Sequence, residues 1–106
     1  MRNSLLALAL LAASPMAAMA QETPNKVTVV IKDFDYTPMD VAIPAGGSVT
    51  WTNRDGEPHT VTSVDGLFRS GALDQDQSFT FTFAKPGTYA YLCSIHPKMR
   101  AAVTVR

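Results

Sequence analysis

Short stretches in which apolar and polar residues alternate recur along the chain from residue 26 to its end. The plainest is 78–83, where three phenylalanines fall on one face and serine and threonine on the other. A period of two is typical of a strand with one buried face, and no segment shows the 3.6-residue period of a helix over ten or more residues. The same criteria predict further strands at 26–31, 40–43, 48–52, 59–63, 88–93 and 101–105.

Turn-forming residues separate these segments. Pro44 to Gly47 and Lys85 to Gly87 indicate tight turns, and 64–76 has no clear period and is predicted to be a long loop. Many short strands with Pro and Gly turns are typical of an antiparallel β-sandwich. We expect the Phe79, Phe81 and Phe83 stripe to lie in its core.

The first 20 residues differ from the rest. A positive Arg2, a short apolar run at 5–13 and the sequence Ala18-Met19-Ala20 have the form of a secretory signal peptide, although an uncleaved anchor helix is the alternative. We therefore expect 1–20 to be a leader and 21–106 to be one exported domain, periplasmic and without a membrane anchor after cleavage.

Charge and cysteine content exclude some classes of partner and of stabilising bond. Nine Lys and Arg balance nine Asp and Glu, and no basic cluster is present, which argues against a nucleic acid or a membrane surface as partner. Cys93 is the single cysteine, so the chain has no internal disulfide. In an oxidising compartment a lone thiol reacts unless it is buried or bound, and a metal on it would protect the thiol and stabilise the fold.

The candidate chemistry lies near the end of the chain. Cys93, His96 and Met99 follow one another at three-residue intervals between two predicted strands. A thiolate, an imidazole and a thioether together suit copper better than other common metals. His59, the only other histidine, lies 34 residues before Cys93 in a loop next to a proline. Because loops at one end of a sandwich cluster, His59 is expected to complete the set.

Other interpretations remain open at this point. Taken singly, Cys93 is more often an inert buried thiol, Met99 a core residue and His59 a surface or capping histidine. Zinc is the rival metal, but structural zinc sites rarely accept methionine. A Cys–His catalytic pair is the rival enzyme, but no oxyanion-hole motif accompanies it, so we predict that the protein is not an enzyme.

The sequence resembles the cupredoxins, the small type 1 blue-copper proteins, over essentially all of 21–106. The spacing Cys-x₂-His-x₂-Met is that of amicyanin, whereas plastocyanin and pseudoazurin are similar but have longer loops. The segments that carry the resemblance are 36–38 (Tyr-Thr-Pro), 46–47 (Gly-Gly), 49–54 (Val-Thr-Trp-Thr-Asn-Arg), 58–59 (Pro-His), 87–93 (Gly-Thr-Tyr-Ala-Tyr-Leu-Cys) and 99–100 (Met-Arg).

This resemblance implies an eight-stranded Greek-key sandwich with one copper ion at one end. His59, Cys93 and His96 would be equatorial ligands and Met99 axial. The implied activity is one-electron transfer through the exposed edge of His96, in a monomer that contacts redox proteins transiently, such as a periplasmic dehydrogenase or cytochrome. A copper-binding or delivery protein, and a metal-free structural domain, are the alternatives.

Two departures from the family pattern bear on the site. Thr60 stands where the family often has an asparagine that ties the two ligand loops together, and its hydroxyl can still bridge them. Lys98 stands where amicyanins carry an aromatic residue, so we expect a change in partner choice rather than in copper binding. An apolar rim around His96 is expected from Pro58, Pro97 and Met39, although Met39 is as well explained as a core residue.

Overall fold

A computed structural model describes residues 23–106, and the predicted leader at 1–20 lies outside the described residues. Eight strands form two four-stranded sheets around one apolar core. The strands are β1 (Lys26–Lys32), β2 (Asp35–Thr37), β3 (Asp40–Ile43), β4 (Ser48–Asn53), β5 (Thr62–Ser63), β6 (Ser78–Thr82), β7 (Gly87–Leu92) and β8 (Arg100–Val105). The predicted all-β sandwich is confirmed.

The sheets are mixed rather than antiparallel throughout. One sheet has the order β2-β1-β4-β6 and the other β3-β8-β7-β5. Two of the pairs, β1 with β4 and β3 with β8, run parallel. The chain passes between the sheets before it returns beside an earlier strand, so a neighbour in a sheet need not be its hairpin partner. The alternation of side chains does not encode this, and the expectation of antiparallel pairing was wrong for these two pairs.

The core forms from the inward faces of both sheets. Val49 and Trp51 share a face, as their spacing predicts, and both are fully buried. The phenylalanine stripe is only partly buried: Phe83, which directly follows β6, is 1% exposed, whereas Phe79 and Phe81 are half-buried and pack against the core. Phe83 lies just beyond the end of β6, where its N–H donates to the carbonyl of Gly47 at 2.8 Å.

The segment predicted as a strand at 59–63 is mostly irregular. Only Thr62–Ser63 pairs with β7, and His59 instead forms an isolated bridge with Leu73 through two backbone hydrogen bonds of 3.1 and 2.7 Å. Within residues 23–106, no helix has the length and apolar character needed to cross a membrane.

Three connections meet at one end of the sandwich. The β1–β2 turn and the end of β4 lie side by side, because Ile31 is paired with Asn53 and its carbonyl accepts the N–H of Arg54. The β7–β8 loop, which carries Cys93 to Met99, lies beside them, since the ring centroid of His96 is 4.8 Å from that of Phe34 in the β1–β2 turn. This end carries the residues singled out by the sequence.

Candidate metal centre

The fold brings His59 together with Cys93 and His96, which lie at least 34 residues later in the sequence. The nearest ligand atoms of His59, Cys93 and His96 all lie within 4.8 Å of one another. The Cys93 sulfur is 3.9 Å from Nδ1 of His59 and 3.7 Å from Nδ1 of His96. Both imidazoles therefore turn the same ring nitrogen toward one thiol, which is the arrangement of a metal cage rather than of isolated core residues.

Backbone hydrogen bonds fix the loop that carries Cys93 and His96. The N–H of Cys93 donates to the carbonyl of Met99 at 3.1 Å and closes the loop between β7 and β8. Inside it, His96 N–H donates to Cys93 O at 3.2 Å and Met99 N–H to His96 O at 2.9 Å. Pro97, which has no N–H to satisfy, stiffens the tip. The thiol and the imidazole are thus held by few free torsions.

Met99 lies beside this pair. Its side chain is 5% exposed and belongs to the core cluster, and it also lines the surface groove next to His96. Met99 is therefore both a core residue and a neighbour of the site. A role in the core is compatible with a role as a ligand.

Thr60 ties the two ligand segments together. Its backbone N–H donates to the buried Cys93 sulfur at 3.3 Å. Its hydroxyl accepts the backbone N–H of Ser94 at 2.7 Å and lies 3.1 Å from the Ser94 hydroxyl. The expectation that a hydroxyl at this position still bridges the two loops is confirmed. A hydrogen bond to the sulfur stabilises negative charge on it, as a thiolate ligand requires.

His59 is oriented by a carboxylate. The imidazole is fully buried, and its Nε2 lies 2.8 Å from Oδ2 of Asp55. Burial raises the pKa of Asp55, but hydrogen bonds from the backbone N–H groups of Phe34 and Asp33 and from His59 outweigh it, so the pKa lies below its ordinary value. The ionised carboxylate accepts a hydrogen bond from Nε2–H, so the proton stays on Nε2 and the Nδ1 lone pair faces the thiol, which is the tautomer a metal needs.

Asn53 fixes the loop between β4 and His59. Its buried amide donates to the carbonyls of Glu57 and Leu73 at 2.9 and 2.8 Å, and its side-chain oxygen accepts the N–H of Asp55 at 2.9 Å. The carboxylate is therefore positioned by the loop itself. Sequence reasoning missed Asp55, and its only signal was an acidic residue four places before the histidine.

Phe34 is the second residue that sequence reasoning missed. Its ring centroid lies 4.9 Å from that of His59 and 4.8 Å from that of His96, edge-on to both at 86° and 81°. It borders a groove whose remaining lining residues are Ile95, His96, Pro97, Lys98 and Met99.

The groove only partly matches the apolar rim expected from the sequence. Pro97 lines it, but Met39 and Pro58 do not, and Met39 is exposed rather than a core residue. Lys98 places a positive charge on the groove beside the half-buried His96.

The donor set fits copper. Two imidazole nitrogens, one thiolate and a neighbouring thioether are the soft and borderline donors of a blue-copper site, and no carboxylate of residues 23–106 is grouped with His59, Cys93 and His96. A structural zinc site would ordinarily take a fourth cysteine or histidine in place of the thioether. The chemistry of the donors therefore favours copper over zinc.

Comparisons with known proteins agree with the site. A profile of the family described as cupredoxin-like domain matches residues 4–105. Amicyanin from Paracoccus denitrificans is 36% identical over 97 residues, which cover 87% of this chain and 73% of that protein. A novel purple cupredoxin from Nitrosopumilus maritimus superposes with a TM-score of 0.70 at 35% identity, over 76% of this chain and 99% of that one. The Cu(I) form of an amicyanin variant superposes with a TM-score of 0.73 at 32% identity, over 85% and 89%.

Proposed function

This chain belongs to the cupredoxin-like domain family, and on that premise we propose that it is a type 1 blue-copper electron carrier of the periplasm. One copper ion is the cofactor, and His59, Cys93, His96 and Met99 are its ligands. The bound ion supplies a Cu(I)/Cu(II) couple that accepts and releases one electron. The protein transforms no substrate. Its role is to hold the ligands in fixed positions and to provide a path for the electron between the copper and the surface.

The convergence of two Nδ1 atoms on one buried thiol carries this proposal. A cage suits electron transfer when it resists the change of geometry between the two copper oxidation states. His59 is held by the Asp55 carboxylate, and the Cys93 sulfur by the Thr60 N–H. Such supporting contacts fix ligand orientation before the metal arrives.

His96 is the proposed exit for the electron. It is the only one of the four ligands that is not buried, and it lies in the apolar groove beside Pro97 and Ile95. A partner that covers this groove brings its own redox centre close to the copper. Interfaces of redox carriers are small and short-lived, so we propose a monomer that meets its partners transiently. The leader proposed at 1–20 supports export to the periplasm.

Copper delivery is the alternative function. A delivery protein releases its metal readily to an acceptor. Here three of the four proposed ligands are buried, and two of those are held by hydrogen bonds from outside the set. This rigidity favours retention of the metal over transfer.

Titration of the purified protein, residues 21–106, with Cu(II) tests the electron-carrier proposal. We expect an intense blue band in the visible spectrum from thiolate-to-copper charge transfer, and its reversible loss on reduction. Cys93→Ser, shown to be folded by its urea unfolding curve without copper, should lack the band. A folded wild type without the band, or with equal copper binding by Cys93→Ser, overturns the proposal. Release of copper to a chelator within seconds would favour delivery instead.

A further inference from the structure

The turn between β1 and β2 has an unusual backbone. Only Asp33 and Phe34 separate the paired residues Lys32 and Asp35, and their φ angles are 54° and 60°. A two-residue turn with both φ angles positive ordinarily takes asparagine or aspartate followed by glycine. A phenylalanine there is sterically disfavoured, and such strain persists only when the surroundings enforce it.

The Asp55 carboxylate enforces this turn. The N–H of Asp33 donates to its Oδ1 at 2.7 Å, and the N–H of Phe34 to its Oδ2 at 3.0 Å. Successive N–H groups that point into one concavity form an anion-binding nest. The same carboxylate holds His59, so the strained turn and the buried imidazole share one anchor.

The turn places the phenyl ring over the site. The ring stands edge-on to both His59 and His96, which are themselves 5.0 Å apart between ring centroids. Phe34 is 45% exposed, whereas His59 beneath it is fully buried. One side of the ring therefore covers the two imidazoles while the other faces solvent.

We propose that Phe34 is a lid on the metal centre, held closed by the Asp33–Phe34 turn. Its ring keeps water and small anions away from the bound metal and holds the His96 ring in its ligating orientation. Phe34 is thus a positioning residue that acts through the two histidines. This inference rests on the proposed copper site. A surface used for docking alone would not require contact with the buried His59.

Two substitutions separate the ring from the backbone. Phe34→Asn removes the ring but keeps a residue that adopts positive φ readily, so the turn is retained. Phe34→Tyr keeps the ring and is the matched control. Phe34→Gly is a second ring-free variant in case asparagine introduces new hydrogen bonds. Urea unfolding of each copper-free variant checks that the fold is intact.

The copper-loaded variants are compared in two assays. In the first, azide is titrated and the visible spectrum recorded. In the second, transfer of copper to a chelator is timed. We expect about tenfold faster copper release from Phe34→Asn and Phe34→Gly, the scale on which removal of a ligand's supporting contact acts. We also expect azide to perturb their spectra at concentrations that leave the wild type and Phe34→Tyr unchanged. Equal release and equal azide response in all four proteins overturn the lid.

A copper-independent measurement keeps the two proposals apart. Nuclear Overhauser contacts between the Phe34 ring and both imidazoles should appear in the copper-free wild type, since the turn is held by the Asp55 carboxylate and not by a proposed metal ligand. If no variant gives a blue band, the electron-carrier proposal fails, and the same release assay with Co(II) then tests the lid. If the band is present but the ring contacts are absent, the lid fails and the carrier proposal stands.

Discussion

Tyr36 links the first hairpin to the segment that carries His59. Its hydroxyl donates to the carbonyl of Thr60 at 2.6 Å, and its ring meets Tyr91 edge-on at 4.7 Å. Burial raises the pKa of Tyr36 strongly, and the nearby Cys93 and Tyr91 add to the effect. Burial also raises the pKa of Tyr91, to about 12. Both phenols therefore stay protonated in the folded protein at pH values where they ionise in an unfolded chain.

This difference predicts a loss of stability in alkali. An unfolded tyrosine has a pKa of about 10, so the contribution of these phenols is complete below about pH 10 and declines above it, by up to about 1.4 kcal/mol per pH unit for each phenol. Tyr36→Phe should lower the free energy of unfolding by about 1 kcal/mol near neutral pH, because one buried hydrogen bond is lost. It should also make the alkaline decline shallower, so that the difference from wild type shrinks.

Urea unfolding of the copper-free protein across the alkaline range measures this effect. Tyr89→Phe is the control for the loss of a phenol hydrogen bond, because it removes a bond from the phenol to the carbonyl of Lys85 at the surface. An unchanged slope in Tyr36→Phe would contradict the prediction.

At the same scale, the proposed ligands and the bridging Thr60 were singled out from the sequence, whereas two supporting residues, Asp55 and Phe34, were not. One cysteine and two histidines leave few ways to build a soft metal site, so residue type and spacing were enough to propose the ligand set. Asp55 and Phe34 belong to residue types that occur in many loops. Their roles depend on hydrogen bonds that span 21 and 22 residues and on a positive φ that the sequence does not signal.

At the scale of elements, the phenylalanines of β6 and of the residue that follows it differ in how deeply they are buried. Phe83 is 1% exposed and packs against Phe68, Phe81 and Tyr89 at centroid distances of 5.4, 4.9 and 5.2 Å. Phe79 is half-buried and stacks obliquely on Trp51 at 5.9 Å.

We expect Phe83→Ala to cost about 3–5 kcal/mol of unfolding free energy, because a large cavity opens in the core. Phe79→Ala should cost roughly half as much, since part of its ring already faces water and less apolar area is lost. Denaturant unfolding of the two copper-free variants measures the difference. Equal losses would mean that Phe79 contributes as much buried apolar area as Phe83 and would contradict the prediction.

The alternation of residues predicted most strands within one or two residues of their observed bounds, because a buried face requires that pattern. It could not assign strands to sheets or reveal the two parallel pairs, which depend on contacts between distant segments. The short β2 and the irregular course of 59–61 also escaped it. In this segment the backbone of His59 hydrogen-bonds to Leu73, and the N–H of Val61 donates to the side chain of Ser70. Neither bond belongs to a strand pairing.

At the scale of the whole molecule, formal charge balances at nine positive and nine negative side chains, so any steering of partners depends on where charges lie. Lys98 lies on the groove beside His96. Lys85 precedes β7, whose other end leads directly into Cys93. Six strand residues separate these ends, which corresponds to about 20 Å. Lys98 is thus close to the proposed electron exit at His96, whereas Lys85 carries the same charge at the far end of β7.

Lys98→Glu should slow oxidation of the reduced copper protein by ferricyanide about tenfold at low ionic strength, since a local charge steers an anionic reactant. It should speed oxidation by a cationic cobalt complex, and both effects should fade as salt screens the charges. Lys85→Glu makes the same change in net charge at the far end and should alter neither rate comparably. Stopped-flow kinetics of both variants with both oxidants measure this. Equal slowing by the two substitutions would place the exit away from His96, whereas a response confined to Lys98 identifies the groove as the surface through which electrons pass.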